Sequence, residues 1–377
     1  TRELLGRLRG GRARLPASTD TELLTALLAD EPAADTVDAL LRVLPWVRGA
    51  YSLVILDEKR VIGVRDPYGF RPLVLGRLPA PEAQVRAPVL WDDEPTPDGW
   101  CLSSETAGLD IVGAEFVRDV EPGEIVILEE GHEPRFVRFA EAKPNLCVFE
   151  LIYFARPDSY MEGRNLYEVR RRMGMELARE HAAEADLVMP VPDTGAPAAA
   201  GYAEASGIPY REGLVRNRYT GRTFIQPSQT MRQRGVTIKL NPLREVVRGK
   251  RLAVVDDSIV RGTTTKQIVA LLRRAGAEEV HVRISAPPIY HPCFYGIDTQ
   301  IETELIAATK PLDEIREFLG ADSLGYLSIG GVLAALDLPY EQFCFACFDG
   351  RYPEPVPYDA KTHKFVLEEA IPAGVVS

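Results

Sequence analysis

The sequence predicts an α/β protein whose larger part is built on a parallel, twisted sheet. From about residue 146 onward, short apolar runs alternate with helical patterns, which is typical of βαβ units. One apolar run, residues 251–255, ends in the adjacent carboxylates of Asp256 and Asp257, and a loop of small and hydroxyl residues follows. Ligands of such sheets bind at the carboxyl ends of the strands, so this loop is a candidate site.

The sequence before residue 146 has the pattern of a region made mostly of strands. Helical patterns cover residues 21–29, 38–48, 165–181, 196–206 and 263–275, and strand patterns cover residues 50–56, 61–64, 73–75, 101–104, 115–119, 125–128, 186–191, 208–211, 250–255 and 279–285. Residues 79–100 are rich in Pro and Asp and predict a surface insertion. We therefore expect a domain over 1–145, a second over 146–350 and a tail over 351–377.

Composition excludes several classes of protein. The chain has 377 residues, 46% hydrophobic and 26% charged, which is an ordinary globular balance. The net charge of −11 argues against a nucleic-acid binder. No apolar run is long enough to span a membrane, and the basic start lacks the apolar centre of a signal peptide. We expect a cytoplasmic protein with no membrane or nucleic-acid partner.

The loop after the acidic pair has the composition of a phosphate-binding loop. Backbone N–H groups in such a loop and at the start of the following helix point at an anion. The carboxylates of Asp256 and Asp257 are suited to accept hydrogen bonds from vicinal hydroxyls or to bind Mg²⁺. A turn with an N-cap is the simpler alternative. The candidate residues after the pair are Ser258, Arg261, Gly262, Thr263 and Thr264.

A second polar loop follows the strand pattern at 186–191. Its candidates are Asp193, Thr194 and Gly195, which are also suited to cap the helix that starts near residue 196. Between the two loops, residues 216–239 are basic and lack hydrophobic periodicity, and include Arg222 and Lys239. This segment predicts either a solvated loop or a lid that closes over a phosphorylated ligand.

The five cysteines are too sparse for a disulfide scaffold. Cys344 and Cys347 form a CxxC pair, and Cys147 and Cys293 complete the number that a four-thiolate site requires. The spacing alone leaves inert thiols, a redox pair, zinc and an iron–sulfur cluster open. Cys101 lies in a strand pattern and is expected to be a small buried residue.

Long segments of the chain resemble the glutamine phosphoribosylpyrophosphate amidotransferase (amidophosphoribosyltransferase) family. The resemblance runs through nearly all of residues 18–352. Its segments are RGAYSLVILD, DPYGFRPLVLG, SSETAGLDIVGA, VEPGEIVIL, ELIYFARPDSYMEGRN, RTFIQPSQTMR, VVDDSIVRGTT, HPCFYGIDT and CFACF.

This resemblance implies a partial N-terminal-nucleophile hydrolase (αββα) domain followed by a type I phosphoribosyltransferase domain. It implies formation of 5-phosphoribosylamine from 5-phosphoribosyl-1-pyrophosphate (PRPP) and glutamine-derived ammonia, the first committed step of purine synthesis. The implied cofactor of transfer is Mg²⁺, the implied inhibitors are purine nucleotides, and the implied assembly is a homotetramer.

The resemblance also assigns roles to residues. Asp256 and Asp257 face the ribose hydroxyls and Mg²⁺, and residues 258–264 hold the 5′-phosphate. The 193–195 loop takes the pyrophosphate, with Thr194 near the metal. The four cysteines named above, without Cys101, correspond to ligands of a [4Fe–4S] cluster in the iron–sulfur branch of the family.

The family's glutaminase nucleophile is an N-terminal cysteine, for which this sequence has no counterpart. Thr1 aligns inside the glutaminase domain, so we expect about the first hundred residues of that domain to lie outside this sequence. The context of Thr1 predicts a helix start and not a nucleophile. Of the implied glutamine site only Asp20 is present, facing the α-amino group. The alternatives are another PRPP-dependent phosphoribosyltransferase and a regulator that senses PRPP.

Overall fold

The computed structural model describes residues 2–8, 19–79, 99–217, 240–299 and 301–356. The predicted insertion falls mainly on residues 80–98, and the predicted tail falls mainly on residues 357–377, so both lie largely outside these ranges. The helices and strands before residue 146 differ in arrangement from those after it.

The first part is a layered β structure with helices packed on it. Its helices are α1 (Arg2–Arg7), α2 (Asp20–Asp30), α3 (Thr36–Val43) and α4 (Thr106–Val112). Its strands are β1 (Ser52–Leu56), β2 (Arg60–Arg65), β3 (Val74–Leu78), β4 (Gly99–Ser103), β5 (Glu115–Asp119), β6 (Glu124–Glu129) and β7 (Arg135–Arg138). They form two antiparallel sheets, of order β1-β2-β6-β7 and β4-β3-β5.

The two sheets pack face to face because their facing side chains are apolar and one strand contributes a glycine. A Cβ atom at Gly63 of β2 would lie 2.7 Å from Leu102 of β4 and 2.7 Å from Val126 of β6. On the other face of the larger sheet, Leu40 and Leu44 pack against apolar side chains of β2 and β6. Helix, sheet and sheet therefore follow one another as layers in this part.

The second part is built on a parallel sheet. Short strands β8 (Leu146–Cys147), β9 (Tyr160–Met161) and β10 (Arg164–Asn165) lead into α5 (Leu166–Glu180). Then come β11 (Leu187–Pro190), α6 (Ala196–Ser206), β12 (Leu214–Arg216), β13 (Leu240–Pro242), α7 (Arg244–Val247), β14 (Arg251–Asp256), α8 (Thr263–Arg274) and β15 (Glu279–Ile284). The chain continues through α9 (Ile306–Thr309), α10 (Leu312–Leu319), β16 (Ser323–Tyr326), α11 (Ile329–Leu336), β17 (Phe343–Cys344) and α12 (Ala346–Asp349).

The central sheet has the order β11-β14-β15-β16, and all its pairs are parallel. Residues 252–256 of β14 and 280–284 of β15 are buried without alternation, as expected for strands covered on both faces. Helices α5 and α6 approach closely, since a Cβ at Gly174 would lie 1.8 Å from the carbonyl oxygen of Ala198. The α/β fold with a parallel sheet that the sequence predicts is confirmed.

Several predicted elements need correction. The helix expected over 38–48 ends at Val43, and a 3₁₀ turn that contains Pro45 follows, because proline donates no backbone hydrogen bond. The strand expected over 208–211 is only a single bridge between Val188 and Tyr210. None of the helices in the described parts of the chain combines the length and the apolar character that a membrane crossing requires.

Candidate active site

The two polar loops predicted from the sequence meet at the carboxyl edge of the central sheet. Strands β11 and β14 are parallel neighbours, and the backbone N–H of Val191 donates to the carbonyl oxygen of Val255 at 2.8 Å. One residue beyond each strand end, the chains turn into their loops. The hydroxyl of Thr194 in the first loop donates a hydrogen bond to the carboxylate of Asp257 in the second.

Asp256 and Asp257 are both buried, with exposed fractions of 8% and 6%. The backbone N–H of Asp257 donates to Asp256 Oδ1 at 2.9 Å, and the Ser258 hydroxyl donates to Asp257 Oδ1 at 2.7 Å. Burial raises the pKa of Asp256 well above its ordinary value, and the adjacent Asp257 carboxylate raises it further. Burial also raises the pKa of Asp257, which the hydrogen bonds from Thr194 and Ser258 oppose. Two adjacent buried carboxylates are electrostatically costly when both are ionised, so a ligand that brings positive charge or hydroxyl donors would stabilise the pair.

The loop after the acids presents a row of free backbone donors. Within the parts of the chain that the structure describes, the N–H groups of residues 258–265 meet no acceptor. Gly262 precedes α8 with φ +73°, a conformation that side chains disfavour, and it turns the loop into the helix. Free N–H groups at the start of a twelve-residue helix form an anion-binding site.

The side chains of this loop do not all face the acids. Thr263 and Thr264 lie exposed in the first turn of α8, where their hydroxyls are open to a ligand. Arg261, in contrast, forms an ion pair with Glu304, to which its Nε donates at 2.9 Å. The structure therefore brings Ser258 to the acid pair and directs Arg261 toward a different segment.

The loop after β11 is shaped by close backbone packing. A Cβ atom at Gly195 would lie 2.6 Å from the carbonyl oxygen of Val255 and 2.8 Å from that of Val191, so only glycine fits there. Asp193 is exposed and accepts a hydrogen bond from Arg216 Nη1 at 2.6 Å. Arg216 stands at the beginning of the basic segment, so this segment starts beside the 193–195 loop.

Of the remaining sequence candidates, the structure describes only Asp20. Arg222 and Lys239 fall outside the described residues, as does Thr1. Asp20 lies exposed in the first turn of α2, whose N-cap is Thr19, which accepts the backbone N–H of Glu22 at 3.2 Å.

Sequence reasoning missed a buried cation behind the site. Arg170 on α5 is 3% exposed and donates to the carbonyl oxygens of Leu151 at 2.8 Å and Ala155 at 2.7 Å. It thereby fixes the π-helical turn Glu150–Phe154, which would otherwise leave these carbonyls without donors. The positive charge of Arg170 also opposes the rise in the pKa of Asp257. The available signal was a charged residue on the apolar face of the 165–181 helical pattern.

The four cysteines of the sequence prediction converge at a junction between strands and loops. Cys147 and Cys344 are partners in the short parallel pair β8–β17, and Cys293 Sγ accepts the N–H of Tyr295 at 3.3 Å. All four thiols, including Cys347, are buried. Burial raises the pKa of each of them, that of Cys344 to about 12. The other three thiols raise the pKa of Cys347 further, Cys344 and Cys293 do so for Cys147, and Cys293 does so for Cys344, so the four lie near one another in a region of low dielectric constant.

Among the described residues, no three His, Cys, Asp or Glu side chains are close enough to chelate a single metal ion. A zinc ion requires its thiolates about 2.3 Å from one centre. Cys101 is half-buried in β4, where the sequence predicted a small buried residue.

Comparison with known proteins defines the class of protein to which the chain belongs. A family model described as a phosphoribosyl transferase domain matches residues 158–292, a range that contains both polar loops. The amidophosphoribosyltransferase of Mycobacterium leprae is 50% identical over 98% of this chain, and that of Synechococcus elongatus is 49% identical over 98%. The chain covers 65% of the first relative's length and 72% of the second's.

Solved structures agree with these relatives. A structure of the allosteric regulatory enzyme of purine biosynthesis matches with a TM-score of 0.84 and 44% identity, over 95% of this chain and 74% of that one. The glutamine PRPP amidotransferase of Bacillus subtilis, complexed with ADP and GMP, matches with a TM-score of 0.82 and 44% identity, over 95% of this chain and 76% of that one. The chain belongs to the amidophosphoribosyltransferase family.

Proposed function

We propose that this chain forms 5-phosphoribosylamine from PRPP and ammonia. The observation that carries the proposal is the juxtaposition of two buried acids with a row of free backbone N–H groups over residues 258–265. A molecule that carries an anionic group and a diol matches both features, because the anion accepts the N–H groups and the diol donates to the acids. PRPP is such a molecule, and the close relatives bear the name of the enzyme that uses it.

Different groups of the site hold different parts of the substrate. The N–H groups of 258–265 and the hydroxyls of Thr263 and Thr264 hold the 5′-phosphate. Asp256 and Asp257 accept hydrogen bonds from the ribose hydroxyls, which orients C1 of the sugar. The loop of Asp193, Thr194 and Gly195 holds the pyrophosphate.

The reaction is a substitution at C1. The nitrogen lone pair of ammonia forms the new C1–N bond, the C1–O bond to pyrophosphate breaks, and the nitrogen loses one proton. Mg²⁺, when bound beside Asp256, Asp257 and Thr194, supplies positive charge to the leaving pyrophosphate. The oxygens of these three residues are the hard donors that Mg²⁺ prefers. In the same proposal the basic segment with Arg222 and Lys239 covers the substrate and limits hydrolysis by water.

The remaining family properties extend the proposal. The ammonia derives from glutamine, whose α-amino group Asp20 faces, and the chain acts in purine synthesis as a homotetramer. Purine nucleotides regulate the activity, in line with the ADP and GMP present in the Bacillus subtilis structure.

We also propose that Cys147, Cys293, Cys344 and Cys347 hold a [4Fe–4S] cluster, as in the iron–sulfur branch of the family. The support is their shared burial and mutual electrostatic influence. Thiols with raised pKa values need a cationic partner to ionise, and iron supplies it. The substitution step described above assigns no role to the cluster.

A product assay tests the transfer activity. With PRPP, Mg²⁺ and ammonia we expect 5-phosphoribosylamine and pyrophosphate, and the variants Asp256→Asn and Asp257→Asn should lose at least ~100-fold in rate. The matched control is Asp186→Asn. Asp186 lies at the opposite edge of the same sheet and accepts the N–H of Arg251 at 2.9 Å, so its loss should leave the rate unchanged.

The assay also separates the alternatives. Consumption of a purine or pyrimidine base in place of ammonia would identify another PRPP-dependent phosphoribosyltransferase. Binding of PRPP without turnover of either acceptor would identify a regulator. Wild-type rates in both aspartate variants would remove these residues from the site.

A further inference from the structure

A buried ion pair joins the two parts of the molecule next to the four cysteines. Arg71, which follows β2 and a tight turn, forms an ion pair with Glu150 at the start of the π-helical turn 150–154. The guanidinium also lies over the ring of Phe154, with its carbon 5.2 Å from the ring centre. The side chains of Arg71 and Glu150 are only 20% and 8% exposed, so both charges are largely removed from water.

The pair lies between two of the cysteine-bearing segments. On one side, the N–H of Cys147 donates to the carbonyl oxygen of Phe70 at 3.1 Å, directly before Arg71. On the other side, a Cβ atom at Gly296 would lie 3.2 Å from Arg71 Nη2, and Gly296 belongs to the loop of Cys293. The ring of Phe70 stacks on that of Tyr295 at 4.2 Å, which fixes this loop against the turn.

Buried charges act strongly on their surroundings because the local dielectric constant is low. Although burial opposes it, Cys147 and Glu150 together raise the pKa of Arg71, with a contribution from Cys293. Arg71 in turn counters the rise in the pKa of Cys147 that burial causes. The cation and the thiols therefore act on one another electrostatically, and the ion pair with Glu150 opposes the field of Arg71.

We infer that the Arg71–Glu150 pair sets the reduction potential of the cluster held by the four cysteines. The inference rests on the proposed [4Fe–4S] cluster. The potential of such a cluster depends on the local charge and on burial. Loss of the cation leaves the Glu150 carboxylate uncompensated, which disfavours an added electron. Loss of the carboxylate leaves the Arg71 cation uncompensated, which favours one.

Redox titration of iron-loaded protein under anaerobic conditions tests this inference. We expect Arg71→Met to lower the potential, Glu150→Gln to raise it, and the double variant to return close to wild type. Arg71→Lys keeps the charge and should stay near wild type. The matched control is the pair Arg118 and Glu124, whose atoms Nη1 and Oε2 lie 2.9 Å apart and whose carboxylate is also buried. Arg118→Met and Glu124→Gln should leave the potential unchanged.

Opposite shifts distinguish an electrostatic role from a structural one, because damage to the fold would move both single variants in the same direction. If Arg71→Met loses its iron, Glu150→Gln decides alone, since only the electrostatic role predicts a raised potential. Unshifted potentials, or shifts of one sign, would overturn this inference while leaving the cluster in place. Wild-type protein that binds no iron would refute the cluster and the inference together. The transfer activity is judged separately by the product assay.

Discussion

The Thr194 hydroxyl donates a hydrogen bond to the Asp257 carboxylate, across the gap between two neighbouring strands of the parallel sheet. This bond joins the loop that we assign to pyrophosphate and the loop that we assign to the ribose. It also places the Thr194 hydroxyl oxygen and an Asp257 carboxylate oxygen side by side. This is the position that we propose for Mg²⁺.

Removal of the Thr194 hydroxyl tests this relationship. We expect Thr194→Val to weaken PRPP binding in the presence of Mg²⁺ by about 10–100-fold, as is usual for groups that orient metal ligands. Thr194→Ser keeps the hydroxyl and should retain most of the affinity. Thr25→Val is the matched control, because the Thr25 hydroxyl donates only to the carbonyl of Thr21 within α2. Calorimetric titration gives the affinities, and equal affinity in Thr194→Val would remove the hydroxyl from the site.

The tight packing of Gly195 predicts a cost for any side chain there. Gly195→Ala places a Cβ within 2.6 Å of a backbone oxygen, and we expect it to lower the free energy of unfolding by about 1–3 kcal/mol. Gly330→Ala is the control. Gly330 lies in the first turn of α11, where its Cβ would lie 3.4 Å from the hydroxyl of the N-cap Ser328, and alanine should stabilise by about 0.4–1 kcal/mol. Urea unfolding of both variants checks the two signs, and a neutral Gly195→Ala would contradict the packing described.

The buried acids predict a pH dependence of stability. Burial raises the pKa of Asp256 above its value in the unfolded chain. The contribution of Asp256 to the stability of the fold is therefore fully present below the unfolded pKa, and it is lost as pH rises through the folded pKa. Asp256→Asn has no carboxylate to ionise at this position, so it avoids this loss of stability. We therefore expect its melting temperature, relative to ligand-free wild type, to increase as pH rises from 4 to 8, with pH 4 close to the unfolded pKa of about 3.9.

Asp57 provides a control of opposite sign. A hydrogen bond from Arg60 lowers the pKa of Asp57, so its contribution is present above the unfolded pKa and is lost as pH falls through the folded one. Asp57→Asn should accordingly lose stability relative to wild type at neutral pH and recover as the solution becomes acidic. Melting curves across the pH range measure both differences, and a constant difference for Asp256→Asn would contradict the burial argument.

The cysteines allow a direct test of the cluster. We expect anaerobically prepared protein to contain about four irons per chain, the content of a [4Fe–4S] centre. Cys147→Ser, Cys293→Ser, Cys344→Ser and Cys347→Ser should each lose most of that iron, because burial leaves no other thiolate to replace the missing ligand. Cys101→Ser is the control, since Cys101 lies half-buried in β4. Iron analysis and visible absorbance decide the question, and a zinc-only preparation would exclude the cluster.

The sequence predicted best where structure depends on local patterns. The helix over 196–206 agrees with α6 to the residue, because an Ala-rich run is bounded by Gly195 and by Gly207, whose φ is +70°. The strand predicted over 250–255 and the helix predicted over 263–275 were correct to within one residue at each end, since an apolar run followed by glycine and threonine indicates both elements. The family resemblance, in turn, gave the class of protein before any geometry was known.

Features that depend on contacts between distant segments were not accessible from the sequence. Arg71 and Glu150 are separated by 79 positions, and only the packing of the two parts brings them together. Arg170 was missed because arginine in a helical pattern usually marks a solvated face, whereas here carbonyls of a π-helical turn accept its donors. The short helix α4 was missed because its seven residues hold too little periodicity to distinguish it from a turn.

The most direct test of the central claim is a crystal structure of this chain with PRPP and Mg²⁺. We predict that the ribose hydroxyls contact the carboxylates of Asp256 and Asp257 and that the 5′-phosphate accepts the backbone N–H groups of residues 258–265. A sugar bound elsewhere, or N–H groups of 258–265 that remain without the phosphate while PRPP is bound, would contradict the account.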